Sequence, residues 1–386
     1  MRKKTVGSKA NWFEQNPRKT ILIAIMVAVM LLTYGAEKIL AYINRSHHLV
    51  LFTDRRYINL REYLPNLNIT VKPTAQELRD ADTLMNQEYQ VRTDGLGFIL
   101  PSRQHAAPDL SLVFLGGSTT ACMYVEEDHR FPNLVGQILE QQTGKKVNSY
   151  NGGVGGNNSL HSLDILLNKV IPLKPHVVIL NHNINDLFTL LYDKTYCNTN
   201  PNKSPIVDFQ LYRNLTGTRA VLALARDTFI PNLHLATKAA IKKIFGRTRD
   251  PEDEFAHIRG KKIAFQKPDL IAEFSKNLQT FINICRARNI TPVLLTQPNR
   301  FTDPPDALTL KSMKTLTTEA RITYREYKDL FDSFNQTIRE TGRKNGVLVI
   351  DLARLIPPEN RYIYDTVHLN DAGCRLAAQI ISDHLK

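Results

Sequence analysis

The sequence predicts an α/β protein of three layers, with a five-stranded parallel sheet between helices, preceded by one apolar helix near the N-terminus. Three observations predict it. From Asp109 onward, short runs rich in Val, Ile and Leu alternate with helical patterns. A charge-free run of 17 residues, Thr20 to Ala36, stands close to the chain start. The composition is globular: 386 residues, 42% hydrophobic and 23% charged, which excludes a collagen-like, low-complexity or wholly disordered chain. Cys122, Cys197, Cys285 and Cys374 stand apart, with no CxxC spacing and no histidine at zinc-ligand distance. Neither a disulfide scaffold nor a metal site is expected, and no cofactor is implied.

The apolar run comes first. At about 1.5 Å per residue its 17 residues reach roughly 25 Å, a little less than the roughly 30 Å of a bilayer's hydrocarbon core. Continuing the helix through Ile43, with Glu37 and Lys38 reaching to the interface, makes it long enough for one crossing. Cleavage as a signal peptide after Ala36 would put bulky Tyr34 at the minus-three position, against the small-residue rule. Residues 1–19 hold six Lys or Arg against Glu14 alone, a net +5 of the chain's +13. The positive-inside rule therefore predicts a cytoplasmic tail over 1–19, a signal anchor over 20–43 and everything beyond on the extracytoplasmic side. Topology accounts for much of the positive charge, so a nucleic-acid partner is not expected.

Residues 44–108 read as a membrane-proximal segment with a little strand, as in Asn68–Lys72 and Tyr89–Arg92. The domain proper is expected over 109–386. Its strands are Leu110–Leu115, Val147–Tyr150, Val177–Asn181, Thr291–Thr296 and Val347–Asp351. Its helices are Phe131–Gln142, Leu160–Val170, Leu270–Arg288, Tyr327–Asn345 and Asp371–Leu385. This alternation implies right-handed crossovers, a flavodoxin-like sheet and a site at the carboxyl ends of the strands. An insertion over about 187–268 interrupts the rhythm. Within it Leu233, Ala236, Ala240, Ile241, Ile244 and Phe245 recur at helical spacing, with Lys238, Lys242, Lys243, Arg247 and Arg249 on the polar side. Such a helix packs on the core, or lies against an anionic membrane or acidic polymer.

The polar motifs sit where these strands end. The first strand runs into Gly116-Gly117-Ser118-Thr119-Thr120, where glycines permit a sharp turn that leaves Ser118 exposed at the strand tip. The second runs into Asn151-Gly152-Gly153-Val154-Gly155-Gly156-Asn157, whose uncovered N–H groups near a helix start suit negative charge. The third delivers Asn181-His182-Asn183-Ile184-Asn185-Asp186, polar groups expected to line a cleft because burying them is costly. Near the C-terminus, Asp365 and His368 stand three apart on a loop, so that the carboxylate can fix the imidazole tautomer.

As an ordered set these pieces resemble the SGNH hydrolase superfamily of GDSL-like esterases and lipases. The resemblance spans about 109–186 and 346–386. It implies Ser118 as nucleophile, Asp365 and His368 as its catalytic partners, and an oxyanion hole made by the N–H groups of Ser118 and Gly156 and the amide of Asn185. Two positions depart from the family pattern. Gly117 replaces the Asp before the nucleophile, and Asn183 replaces the glycine of the GxND block, where it is expected to narrow the pocket or alter the backbone. His182 and Asn183 are expected behind the reacting groups, and His161 there or at the surface.

The function that follows is a membrane-anchored serine esterase acting on an acylated glycan or lipid outside the cytoplasm, with a large, acidic or membrane-associated substrate. Polar loops around the motifs favour acetyl over longer acyl groups and a glycan over a free lipid. The same acyl-enzyme could pass its acyl group to a sugar hydroxyl, as an O-acyltransferase does. A non-catalytic binding subunit is the third class, opposed by the retention of Ser118, Asp365 and His368 together.

Overall fold

The computed structural model describes residues 11–44, 60–197, 218–230 and 262–386, with parts of 232–241. The chain forms two compact units, residues 1–48 with 208–252 and residues 49–207 with 253–386.

In chain order the larger unit contains β1 (Asn68–Val71), α1 (Ala75–Arg79), β2 (Tyr89–Arg92), β3 (Leu110–Gly116), α2 (Ser118–Ala121), α3 (Phe131–Thr143), β4 (Val147–Gly153), α4 (Ser159–Ile165), β5 (Val177–Asn181), α5 (Ile184–Asp193), α6 (Lys267–Ala287), β6 (Thr291–Leu295), α7 (Tyr324–Asn345), β7 (Leu348–Ile350) and α8 (Asp371–His384). The main sheet runs β4-β3-β5-β6-β7, every neighbouring pair parallel. Numbered within the sheet, this is the flavodoxin-like order 2-1-3-4-5. The expected strands and helices are all present, with boundaries that differ by a few residues.

Both faces of the sheet are covered, which is why its strands read as continuous apolar runs. Val113 and Leu115 point into a cluster with Leu187, Phe274, Phe281 and Phe334, under α5, α6 and α7. Leu112 and Phe114 point the other way, toward Phe131, Val135 and Ala377 of α3 and α8. Phe114 meets Phe131 edge-on at 5.5 Å. Each such side chain taken fully out of water contributes about 1.5–3 kcal/mol. Local signals set the helix ends. Thr323 and Glu326 form a capping box at the start of α7, and Gly346 closes it in the left-handed region at φ 59°.

Residues 60–108 pack within this same unit. β1 and β2 pair antiparallel, Asn68 opposite Arg92. Phe98 and Ile99 are fully buried. Glu62 and Lys169 form a buried ion pair at 3.0 Å, and the Lys169 ammonium lies 4.1 Å from the Phe98 ring centre. The insertion expected from 187 starts later in the packing, because Leu187, Leu190 and Leu191 of α5 belong to the core. Residues 198–217 and 242–261, which include Lys242, Lys243, Arg247 and Arg249 of the expected basic face, lie outside the described residues, as does Lys238.

In the smaller unit one helix spans Pro17–Asn44. Its segment Pro17–Leu40 is 24 residues long, has a mean hydropathy of 2.0 over its most apolar stretch and is 6% buried there. Leu22, Met26, Leu31 and Ile39 are exposed around it. It is long and apolar enough to cross a bilayer.

Candidate active site

Register brings the motifs together. Gly116 at the end of β3 stands opposite Gly153 of β4 on one side and Asn181 of β5 on the other. Ser118, the loop 154–158 and the segment 182–185 therefore leave three adjacent strands at one level, where the strand order reverses. In this sheet order that is the place where a site forms.

Ser118 is the first residue of α2 and is partly exposed. Its Oγ lies 2.8 Å from His368 Nε2, and His368 Nδ1 lies 2.6 Å from Asp365 Oδ2. The other carboxylate oxygen of Asp365 accepts the backbone N–H groups of Val367 and His368, both at 2.8 Å. A narrow loop holds this pair in place. Tyr364 N–H donates to His368 O at 2.9 Å, Ile363 bridges Leu369, and the Tyr364 ring lies parallel to the imidazole at 5.5 Å.

The two charges stabilise each other. Burial alone would raise the Asp365 carboxyl, but the imidazole beside it and the two N–H donors outweigh burial and hold it below the usual carboxylate range. Burial also works against the His368 cation, yet Asp365 more than offsets that and raises the imidazole above its ordinary value. With Nδ1–H donated to Asp365, Nε2 is left as the acceptor facing Ser118.

Gly156 and Asn185 flank the same turn. Gly156 has φ +75°, a conformation that favours glycine, and its carbonyl accepts Arg61 Nη1 at 2.9 Å. Asn185 Nδ2 donates to Asn157 O at 2.8 Å. That amide fills the space beside Gly117: a Cβ added there would sit closer to Asn185 Nδ2 than real Cβ contacts come, and 3.1 Å from Asn157 O. The departure at Gly117 thus has a steric reason, since the position of the missing Asp side chain is occupied.

The rest of the third motif does not line the cleft. Asn181 donates to Thr120 Oγ1 at 3.1 Å, and Asn183 donates to Phe331 O at 3.1 Å. Asn183 is almost fully buried and its side chain points away from the cleft, so it does not narrow the pocket. His182 is buried behind the loop, with Nε2 2.7 Å from Ser162 Oγ and Nδ1 3.5 Å from Asp186 Oδ2. Burial lowers its pKa to about 3, so it is neutral. Asp186, raised by burial to about 6, accepts Ser159 N–H at 3.0 Å and Tyr196 O–H at 2.7 Å. His161, also buried, accepts Asn158 N–H at 3.0 Å and caps α4 rather than facing solvent. Each of these side chains has at least one partner inside the protein, although Asn181 Oδ1 and Asn183 Oδ1 accept no hydrogen bond.

The cavity beside Ser118 encloses about 380 Å³. Its walls include Leu84, Met123, Tyr124 and Tyr364, with Gln76 and Glu77 from α1 at the rim. Aromatic and apolar surface replaces the polar walls expected from the Asn-rich loops. Tyr124 O–H donates to Glu77 Oε1 at 2.8 Å. Sequence reasoning missed these contributions from residues 74–84, whose partners lie far along the chain. It also missed Gln297, fully buried, which donates to Thr119 Oγ1 and accepts Ile184 N–H, both at 2.8 Å. Gln297 thereby ties the residue after Ser118 to the residue before Asn185.

Comparison with known proteins identifies the family. The profile of the GDSL-like lipase/acylhydrolase family matches residues 114–376. The chain belongs to that family. As a GDSL-like hydrolase of the SGNH superfamily it is a serine hydrolase acting on ester bonds. No curated protein sequence matches this hydrolase. Its fold is similar to that of an α/β hydrolase from the metagenome of Lake Arreo, Spain, at 15% identity, covering 72% of this chain and 95% of the other with a TM-score of 0.41. A lipase/acylhydrolase from Enterococcus faecalis is similar at 17% identity, 72% and 95% coverage and a TM-score of 0.39. An acetylxylan esterase from Geobacillus stearothermophilus is similar at 12% identity, 72% and 94% coverage and a TM-score of 0.40.

Proposed function

We propose that this GDSL-like hydrolase is anchored in a membrane by Pro17–Leu40 and hydrolyses short acyl esters, acetyl before longer chains, on an extracytoplasmic glycan. The observation that carries the reading is the continuous run of hydrogen-bond contacts from Ser118 Oγ through His368 to Asp365, opening onto one bounded cavity. His368 Nε2 takes the Ser118 proton as Oγ attacks the ester carbonyl, and Asp365 holds the ring and stabilises the imidazolium. The N–H groups of Ser118 and Gly156 and the amide of Asn185 receive the oxyanion. His368 then returns the proton to the leaving alcohol oxygen as the C–O bond breaks. Water, deprotonated by the same imidazole, attacks the acyl-enzyme and releases the acid and free Ser118.

A cavity of about 380 Å³ suits a short acyl group and one face of a sugar ring. Tyr124 and Tyr364 offer flat apolar surface, and Glu77 offers hydrogen-bond acceptance. The rim carries Glu77 and Asp80 and no Lys or Arg among its lining residues, so a neutral ester replaces the acidic substrate expected from the basic segment at 238–249. The six Lys or Arg of residues 1–19 favour a cytoplasmic tail and thereby support an extracytoplasmic catalytic unit. The test is to supply nitrophenyl esters of increasing chain length, with and without an acceptor glycan. Rates falling from acetyl onward support the reading, and rates rising to long chains reject it. Turnover that requires the sugar, with acetyl recovered on it, makes the protein an O-acyltransferase.

A further inference from the structure

Beyond the span itself, the smaller unit holds another helix, Thr218–Phe229, with an apolar face that no described residue covers. Val221, Leu222 and Phe229 are 67%, 69% and 73% exposed. At about 100° per residue they fall with Ala225 on a single arc about 100° wide. Arg219 and Arg226 lie at one edge of that arc. Such a stripe on a soluble surface exposes large apolar side chains to water for no gain, whereas an apolar stripe edged by arginine fits a bilayer interface.

The chain fixes this helix near the end of the span. Glu37 lies three residues before Leu40, about 4.5 Å along the helix from the end of the membrane-crossing segment. Glu37 is 6% exposed, and its carboxylate accepts Asn232 N–H at 3.0 Å, Asn232 Nδ2–H at 2.7 Å and Leu233 N–H at 2.7 Å. Phe229 precedes Asn232 by three residues, so it lies within about 11 Å of it by chain length alone. The Phe229 end of the apolar stripe is therefore held within about 11 Å of the level of Asn232, which Glu37 binds near the end of the span. Residues 218–249 carry seven Lys or Arg and a single acid, Asp227.

We infer that the helix Thr218–Phe229 lies flat in the headgroup layer of the membrane that Pro17–Leu40 crosses, with Val221, Leu222 and Phe229 inserted and the flanking basic residues on anionic lipid. The inference rests on the anchor reading. Its experiment separates the two by placing one tryptophan in each element of the full-length protein. In a Trp12→Phe background, Leu31→Trp probes the span and Phe229→Trp probes the helix, with Leu222→Trp as a second probe on the same stripe. The protein is reconstituted in phosphatidylcholine vesicles containing phosphatidylglycerol, with lipids brominated either near the headgroup or deep in the chain.

Quenching of Phe229→Trp and Leu222→Trp should be roughly twofold stronger from the shallow bromines than from the deep ones, and weaker when phosphatidylglycerol is omitted. Leu31→Trp should respond most to the deep bromines. If Leu31→Trp is quenched while both helix probes are not, the helix faces water or a protein partner and the inference is overturned with the anchor intact. Helix quenching that ignores phosphatidylglycerol overturns the assignment to anionic lipid. If Leu31→Trp itself escapes quenching, the anchor reading fails.

Discussion

Replacing Gly117 by alanine adds one methyl group at the point where the Asn185 amide and the nucleophile turn meet. Gly117 has φ −90°, so alanine adopts its backbone without strain and the effect is one of space alone. The new Cβ overlaps Asn185 Nδ2, which has to retreat by about 1 Å to reach an ordinary contact of roughly 3.5 Å. Its 2.8 Å hydrogen bond to Asn157 O stretches in response. Losing that bond costs about 0.5–1.5 kcal/mol of stability. The effect on rate is larger, because a donor displaced by about 1 Å from the oxyanion costs roughly 100-fold, and a lost donor about 2.7–4 kcal/mol of barrier. Under the proposed roles, Gly117→Ala should lower kcat on nitrophenyl acetate by roughly 100-fold while the melting temperature moves by only a few degrees. Asn185→Ala should lower kcat comparably, and the double variant should be little worse than either single one, since both remove the same donor. A Gly117→Ala enzyme with kcat close to that of the parent would refute the assignment of Asn185 to the oxyanion.

The acidic limb of kcat/KM should lie above the roughly 6.5 of an ordinary histidine, because only neutral His368 accepts the Ser118 proton and Asp365 raises the imidazole. In Asp365→Asn the limb should move to lower pH and kcat should fall by up to about 10⁴-fold; a limb that stays in place would show that another group titrates. Glu62→Leu leaves the Lys169 ammonium buried without its 3.0 Å partner, so it should destabilise the fold by about 3–5 kcal/mol in denaturant unfolding, and a loss below 1 kcal/mol would contradict the pair's burial.

The sheet was legible because both its faces are covered: runs such as Val177–Leu180 are apolar throughout and end abruptly in polar motifs. The grouping of Ser118, Asp365 and His368 was legible for the same reason, each following a strand or standing on a loop after one. What misled was the assumption that polar residues at a strand end face a cleft. Asn181, His182, Asn183 and Asp186 instead turn inward and bond to Thr120, Ser162, Phe331 O and Ser159. Residues 60–108 looked peripheral because they carry no long apolar period, and their partners, Gly156 for Arg61 and Tyr124 for Glu77, lie 95 and 47 residues away. Local pattern holds no record of contacts so distant in sequence. The substitution at Asn183 became interpretable only once its side chain was seen to be buried and bonded to Phe331 O.

The central claim is that Ser118 is the nucleophile activated by His368, and covalent labelling by a fluorophosphonate probe tests it most directly. The protein should be labelled at a single site, mapped by mass spectrometry to the peptide containing Ser118. Labelling should be abolished in Ser118→Ala and reduced by several orders of magnitude in His368→Ala, both with unchanged melting temperature within a few degrees. Undiminished labelling of a folded Ser118→Ala protein, or labelling that maps to another residue, would contradict it.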